Sequence, residues 1–574
     1  MKKILLLIIV NCLGFAAIAQ NAPKWMDKSK KAVVSITTFD KDNRKINTTN
    51  GFFISEDGEV LSGYSIFKGA FKATVADSDG NTYPVVSVIG ADDLYDVIRI
   101  KISVSKKIAF LPLATEPVAI NTPAYLLPYS PGKAVSFKQG TVSEISKLKD
   151  PYSYYQLTFP LDDGQENSPL LLASGQVFGL SQDDASGKKG QSFAVSANYV
   201  KSLNITTTDA FNSVYTNIGI RKAWPSDIEQ ASISLFLMAN SQDAQTYLET
   251  LNDFIATFPQ AEDGYLSRAS HYANFRTELA SNPEEETSYL NLALADIQTA
   301  AKFSNNKGNV LYHQAKLIYG VATSDMTITD TNWSIGAAMA AINKAIETED
   351  LPVYRQLEGD IYFYLDEYVS AYNSYIKVND SDLASASSYY LTARALENIP
   401  GAQISDIIVL LDSTIAKLGT PTSPAAAPYI LERIDFKIKL FLYDEALTDY
   451  DLYYSLVNGQ VNDNFYFFRE QAKFQKGDID GALEDIKQAI ELNSEIPDYY
   501  AEEAAIYVRL KKYNEALGSI EKALALATDF GACYRLRGIC YVRLEKKTEA
   551  CEAFSKAEEL NDPLAKRLIR ENCQ

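Results

Sequence analysis

The first two hundred residues carry their apolar positions in short bursts. Ala32 to Thr37, Gly51 to Ser55, Thr82 to Ile89, Val97 to Ile102 and Gln176 to Leu180 are rich in Val, Ile, Phe and Thr, and Asp-Gly, Ser-Gly and Pro-Gly pairs punctuate them. Branched and aromatic side chains suit a pleated, half-buried surface, and the glycine pairs supply tight turns, so this pattern predicts many short strands in an all-β sandwich or barrel. Asp77-Ser78-Asp79-Gly80-Asn81 superficially suggests a calcium loop. It lacks that loop's later acidic ligands, and Asp-Gly between two strand runs predicts a hairpin turn. From residue 226 onward the period changes to 3.6, with Ala, Leu, Tyr and charged residues returning to one helical face between short loops. Residues 206–225 in between hold Thr, Asn and Ser with little periodicity and predict a linker or a partly ordered bridge. The expected fold class is therefore multidomain, all-β followed by all-α.

The helical part repeats itself. Tyr507-Val508-Arg509-Leu510 returns 34 residues later as Tyr541-Val542-Arg543-Leu544. That period, with Tyr534, Gly538, Tyr541, Ala550, Phe554 and Ala557 in the last copy and Tyr500, Ala504, Tyr507, Ala516, Ile520 and Ala523 in the one before, resembles the tetratricopeptide repeat. Small residues let the two helices of a hairpin approach, and aromatics fill the gap to the next hairpin. Ala482 with Ala489, Ala446, Ala371, Ala338 with Ala345, and Ala293 with Ala300 mark less regular earlier copies, with a longer loop near Ser324 to Thr331. Seven to nine hairpins are expected over residues 226–574, closed by a capping helix after Pro563. The resemblance implies an α-solenoid whose concave groove docks a peptide or protein. The copy near Tyr500 carries Asp498, Glu502 and Glu503, which favours a basic or mixed segment as the occupant.

Composition narrows the partners. A formal charge of −19 over 574 residues argues against nucleic-acid phosphates and anionic membrane surfaces, both of which require positive patches. Residues 1–19 read as a secretory signal: Lys2 and Lys3, the apolar run Ile4 to Val10, and Ala17-Ile18-Ala19 before Gln20. Asn11 before Cys12 departs from a lipobox. No later stretch is apolar enough to span a membrane, so export to the periplasm or cell envelope is expected. Cys533, Cys540, Cys551 and Cys573 all fall in the last 42 residues, as one or two disulfides or as small buried residues. Cys533 and Cys540 stand about 10 Å apart along one expected helix and so cannot pair with each other. No CxxC or neighbouring histidine accompanies them, and neither a metal nor a cofactor is expected. The oligomeric state has no signal in the chain.

The β-rich part resembles the HtrA (Deg-type) branch of trypsin-like serine proteases from about Lys24 to Leu203. Lys31 to Ile36, Gly51 to Ala70, Ala76 to Ile102, Gly140 to Ile145 and Gln191 to Leu203 follow that family's fragments in order. The resemblance implies a double β-barrel over residues 24–205. It also locates the catalytic positions, which are rewritten. The general base falls on Ser65, whose hydroxyl accepts no proton near neutral pH; the aspartate is retained as Asp96; and the nucleophile loop reads Gly164-Gln165-Glu166-Asn167-Ser168-Pro169, placing Glu166 where the serine should stand. With no imidazole to orient, Asp96 reads as a strand-edge acid satisfied by local backbone. Asn167 and Ser168 replace two glycines of the turn that serves the oxyanion. Ser168 reads as an exposed turn serine, with a displaced nucleophile as the sharper alternative.

No histidine lies in this part, since the chain's only two are His271 and His313. Without a base the enzyme reading leans to no, and the expectation is an exported scaffold that joins a pseudoprotease domain to a repeat region binding a protein or peptide. The alternatives are a serine endopeptidase with a rearranged site and a holdase-type chaperone.

Overall fold

A computed structural model describes residues 23–573 apart from 117, 133–134, 184–189, 210–211 and 326. The signal segment and Cys12 lie outside the described residues. The chain divides into two compact units after Phe303.

The first unit opens with two six-stranded closed barrels. Strands β1 (Val33–Phe39), β2 (Lys45–Phe53), β3 (Glu59–Ser62), β4 (Lys72–Ala76), β5 (Thr82–Asp92) and β6 (Val97–Ile102) run in the order β1-β2-β3-β6-β5-β4, closed by antiparallel pairing of β1 with β4. β6 shows why the pattern was readable. Val97, Ile98, Ile100 and Ile102 are buried, while Arg99 turns outward and meets Glu59 of β3 at 2.6 Å. The second barrel comprises β7 (Pro123–Leu126), β8 (Lys138–Lys149), β9 (Tyr152–Leu157), β10 (Pro169–Leu171), β11 (Val177–Gln182) and β12 (Ser192–Ser196), in the order β10-β11-β12-β9-β8-β7. Leu126, Leu157, Leu170 and Phe178 fill it. At the Asp-Gly turn, Asp77 Oδ1 accepts the N–H groups of Asp79 and Asn81 at 3.0 and 2.9 Å, closing the β4–β5 hairpin.

The segment expected as a linker is instead packed onto the first barrel. Val214, Tyr215, Ile218 and Ile220 join its core. The Gly219 N–H donates to the Ala70 carbonyl at 2.7 Å, and the Val88 N–H to the Arg221 carbonyl at 2.8 Å. These apolar residues follow neither a period of two nor of 3.6, which is why the segment read as loop. Gly90 permits a similar approach, because a Cβ there would lie 2.4 Å from the Leu203 carbonyl carbon.

Helices complete the first unit and make up the second. Within the second unit, the described residues form seven consecutive helix pairs: Lys307–Ser324 with Ile335–Thr348, Pro352–Tyr364 with Tyr368–Asn379, Ala386–Glu397 with Ile404–Lys417, Ala427–Lys439 with Tyr443–Leu456, Asp463–Lys476 with Ile479–Leu492, Pro497–Arg509 with Tyr513–Leu526, and Gly531–Arg543 with Lys547–Glu559. A last helix, Ala565–Asn572, follows. A register of sixteen residues links the two helices of a pair. A Cβ on Gly538 would lie 2.3 Å from the ring of Phe554, and one on Gly359 would lie 2.5 Å from the ring of Tyr375. One residue earlier on the first helix the same register is polar. Arg433 grips Asp449 with two bonds of 2.8 and 2.7 Å, and Arg469 grips Asp485 likewise. Ser374 and Ser519 donate to Glu358 and Glu503 at 2.8 and 2.7 Å. Cys551 and Cys573 form a disulfide that ties the last helix to the last pair, and Cys533 and Cys540 are free and buried. Among the described residues no helix is long and apolar enough to cross a membrane.

Candidate functional site

The loop leading into β10 holds its shape through a side chain that nothing in the sequence singles out. Asn50, buried within β2, donates from Nδ2 to the carbonyls of Gly164 and Glu166 at 2.7 and 2.8 Å and accepts the Tyr129 N–H at 3.2 Å. It looks like any polar residue of a strand, so only its placement reveals the role. Gly164 and Asn167 both take positive φ, 78° and 59°, the second tolerable because asparagine enters that region more readily than most residues. The Asn167 N–H donates to the Ser181 carbonyl at 2.9 Å and its side chain donates to Thr49 Oγ1 at 3.0 Å.

Ser168 departs from expectation. It is fully buried, 0% exposed, with its N–H bonded to Ser181 Oγ at 3.0 Å. Its own hydroxyl is enclosed and makes no hydrogen bond. Pro169 already begins β10, so the preceding serine is drawn into the barrel rather than left on a turn. A hydroxyl sealed in this way cannot reach a substrate carbonyl. Three of the loop's amides, those of Gln165, Asn167 and Ser168, are bonded within the fold. Those of Gly164 and Glu166 have no such partner among the described residues, and both residues are exposed.

Ser65 and Asp96 come together. Ser65 opens a short 3-10 turn after β3; its N–H donates to Asp96 Oδ1 at 2.6 Å and its hydroxyl to Oδ2 at 3.2 Å. Asp96 is therefore satisfied by one distant residue and not by local backbone, and it sits at φ 49° immediately before β6. Here the carboxylate holds both the backbone and the hydroxyl of a serine. Glu166 is solvent-exposed. Its carboxyl is nonetheless pushed above the ordinary range, first by desolvation against the loop and then by the charges of Asp183, Asp96 and Asp163. Together these groups make the cleft acidic.

His271 offers no base to the Ser65–Asp96 pair. His271 lies on the helix Glu262–Asn274, 4% exposed, with Nε2 bonded to the Ala244 carbonyl at 2.8 Å and its ring against Tyr247 and Phe275. Burial lowers its pKa and keeps it neutral, as expected of a core residue. His313 is exposed on the helix Lys307–Ser324, in the other unit.

The sequence profile of the trypsin-like peptidase domain matches residues 49–180, from the middle of β2 to β11. Serine protease HTRA1 of Xenopus tropicalis is 25% identical over 223 residues, covering 38% of this chain and 45% of that protein. A probable periplasmic serine endoprotease, DegP-like, of Chlamydia trachomatis is 28% identical over 148 residues, 24% of this chain and 29% of that protein. This chain thus spans less than half the length of these relatives. The solved active form of a protease from M. tuberculosis matches at 22% identity and a TM-score of 0.27, over 30% of this chain and 80% of that one. The two barrels are similar to the trypsin-like domain of HtrA- and Deg-type proteases.

Proposed function

We propose that the chain is an exported protein-binding scaffold in which a trypsin-like domain without a hydrolytic site is joined to a tetratricopeptide-like docking region. The observation that carries this reading is the hydrogen-bonded Ser65–Asp96 pair, which we read as standing in for the acid–base relay, with Glu166 in place of the nucleophile. Acyl transfer begins when a base removes a proton from the attacking group. A hydroxyl donating to a carboxylate is itself a proton source, and a carboxylate is too weak a base to ionise an alcohol. The 34-residue recurrence and the sixteen-residue register between paired helices support the repeat reading. The periplasmic name of one relative supports export.

Treating the full chain with a serine-directed fluorophosphonate, followed by peptide mass spectrometry, tests the proposal. No adduct is expected on Ser65 or Ser168, and an adduct on either overturns it. The second reading, a serine endopeptidase with Ser168 as displaced nucleophile, is favoured by the protease names of the relatives. It requires the Ser168 hydroxyl to leave its enclosure, and the same labelling decides it.

A further inference from the structure

In the second unit a cavity of about 910 Å³ opens between the helices Ala427–Lys439, Tyr443–Leu456, Asp463–Lys476 and Pro497–Arg509, a size typical of ligand sites. Tyr450, Tyr453 and Phe465 line it. Phe468 and Leu431, also in its lining, are 53% and 41% exposed. Three acids share the wall, Asp435, Glu470 and Glu502. Glu470 is 1% exposed, and its Oε2 makes no hydrogen bond.

The repeat register explains how unusual this carboxylate is. Glu470 follows Arg469 as Gly359 follows Glu358 and Ala504 follows Glu503. It therefore occupies the position that Gly359, Ala504 and Gly538 keep small so that the second helix can approach, and that the apolar Ile434 fills in the pair before. A glutamate there is forced toward the interior, where an unpaired charge is strongly disfavoured. The cations nearby are committed elsewhere. Arg469 and Lys473 both engage Asp485, at 2.7 and 2.9 Å. Lys439 holds Asp435 at 2.6 Å. Arg535 is bonded to Asp562 at 2.9 Å, so it acts on Glu502 only through its field.

We propose that this cavity receives a lysine or arginine side chain from a docked protein segment, its cationic head meeting Glu470 and Glu502 and its aliphatic stem lying against the aromatic wall. The inference rests on the protein-docking reading of the helical region and names the residue that anchors the segment. Aromatic faces and buried carboxylates favour the same ligand, a cation with an apolar stem. Unliganded, Glu470 keeps its proton to about pH 8, chiefly through desolvation and then through the fields of Glu502 and Asp485. Glu502 is likewise pushed up, by desolvation and by Asp498, with Arg535 opposing. Tyr450, on the facing helix, is pushed up to about 12 and stays neutral. Arrival of a cation therefore expels a proton, and affinity rises with pH up to about 8 and then levels.

The test passes degenerate twelve-residue peptide libraries over the immobilised full chain, with one central residue fixed as lysine, arginine, norleucine or glutamate. Retention of the lysine and arginine libraries at least tenfold above the other two, falling at least tenfold in Glu470→Gln, is the expected result. Calorimetry on a retained peptide should give an enthalpy that depends on the buffer's own ionisation enthalpy, the signature of proton release. Circular dichroism of Glu470→Gln should match the parent, so that lost binding is not lost folding. Equal retention of all four libraries overturns the basic anchor and leaves the docking reading standing. Retention of none overturns both. Butylamine competing as well as the retained peptides, mole for mole, would make this a free-amine site and overturn the docked segment.

Discussion

Replacing Glu470 by glutamine keeps the side chain's shape and removes its acidity, which isolates the free energy of one buried carboxyl group. In the fold this carboxyl releases its proton near pH 8, against an ordinary value of about 4.5. Between those values the folded chain holds a proton that the unfolded chain has lost, so stability declines as pH rises. The loss begins near pH 4.5, is complete just above 8, and is flat beyond. A shift of about 3.5 units at 1.36 kcal/mol each gives a ceiling of about 5 kcal/mol. Water entering the adjoining cavity solvates the ionised carboxylate, so about half of that ceiling, roughly 2 kcal/mol, is the expected effect. Hydrogen exchange of peptides from the helix Asp463–Lys476, compared between variant and parent at each pH so that intrinsic rates cancel, reads this locally. The two proteins should be equally protected near pH 5 and differ near pH 9, with the glutamine variant exchanging about tenfold or more slowly, if these amides open through unfolding of that region. The same ratio at both pH values refutes the buried, unpaired state of Glu470.

Further consequences follow from the other buried polar contacts. Asn50→Ala strips a donor from the carbonyls of Gly164 and Glu166 and should lower the barrel unit's stability by about 2–4 kcal/mol, seen as a lower first transition in scanning calorimetry. Asp485→Ala leaves the half-buried Arg469 and Lys473 without their shared acid and should cost about 2–3 kcal/mol, measured by urea unfolding of the helical unit. Cys573→Ser opens a disulfide spanning 22 residues and should loosen the last helix by about 3 kcal/mol, visible as early proteolytic cleavage after residue 560.

The two-barrel fold was legible because each strand alternates or saturates with Val, Ile and Phe, as in β6, and because turn chemistry separates the strands. The helical hairpins were legible from small residues facing aromatics. The pairing of Ser65 with Asp96 lay within reach, since both positions follow from the order of the β-rich fragments. Residues 206–225 were not legible, because a segment that joins a barrel through backbone hydrogen bonds needs no periodicity of its own. Ser168 was misread for a related reason: its neighbour Pro169 signals a turn in sequence but begins a buried strand in the fold. Asn50 and Glu470 are ordinary residues by type. Their importance comes from what surrounds them, a pair of carbonyls brought from more than a hundred residues away and a cavity that leaves one carboxylate without a cation.

The central claim is that the barrel cleft cannot start amide hydrolysis. Incubating the purified full chain with fluorescently labelled, unfolded casein from pH 6 to 9, beside a Ser168→Ala variant, tests it most directly. No fragments above the buffer control are expected from either protein. Fragments from the parent that disappear in Ser168→Ala would contradict it.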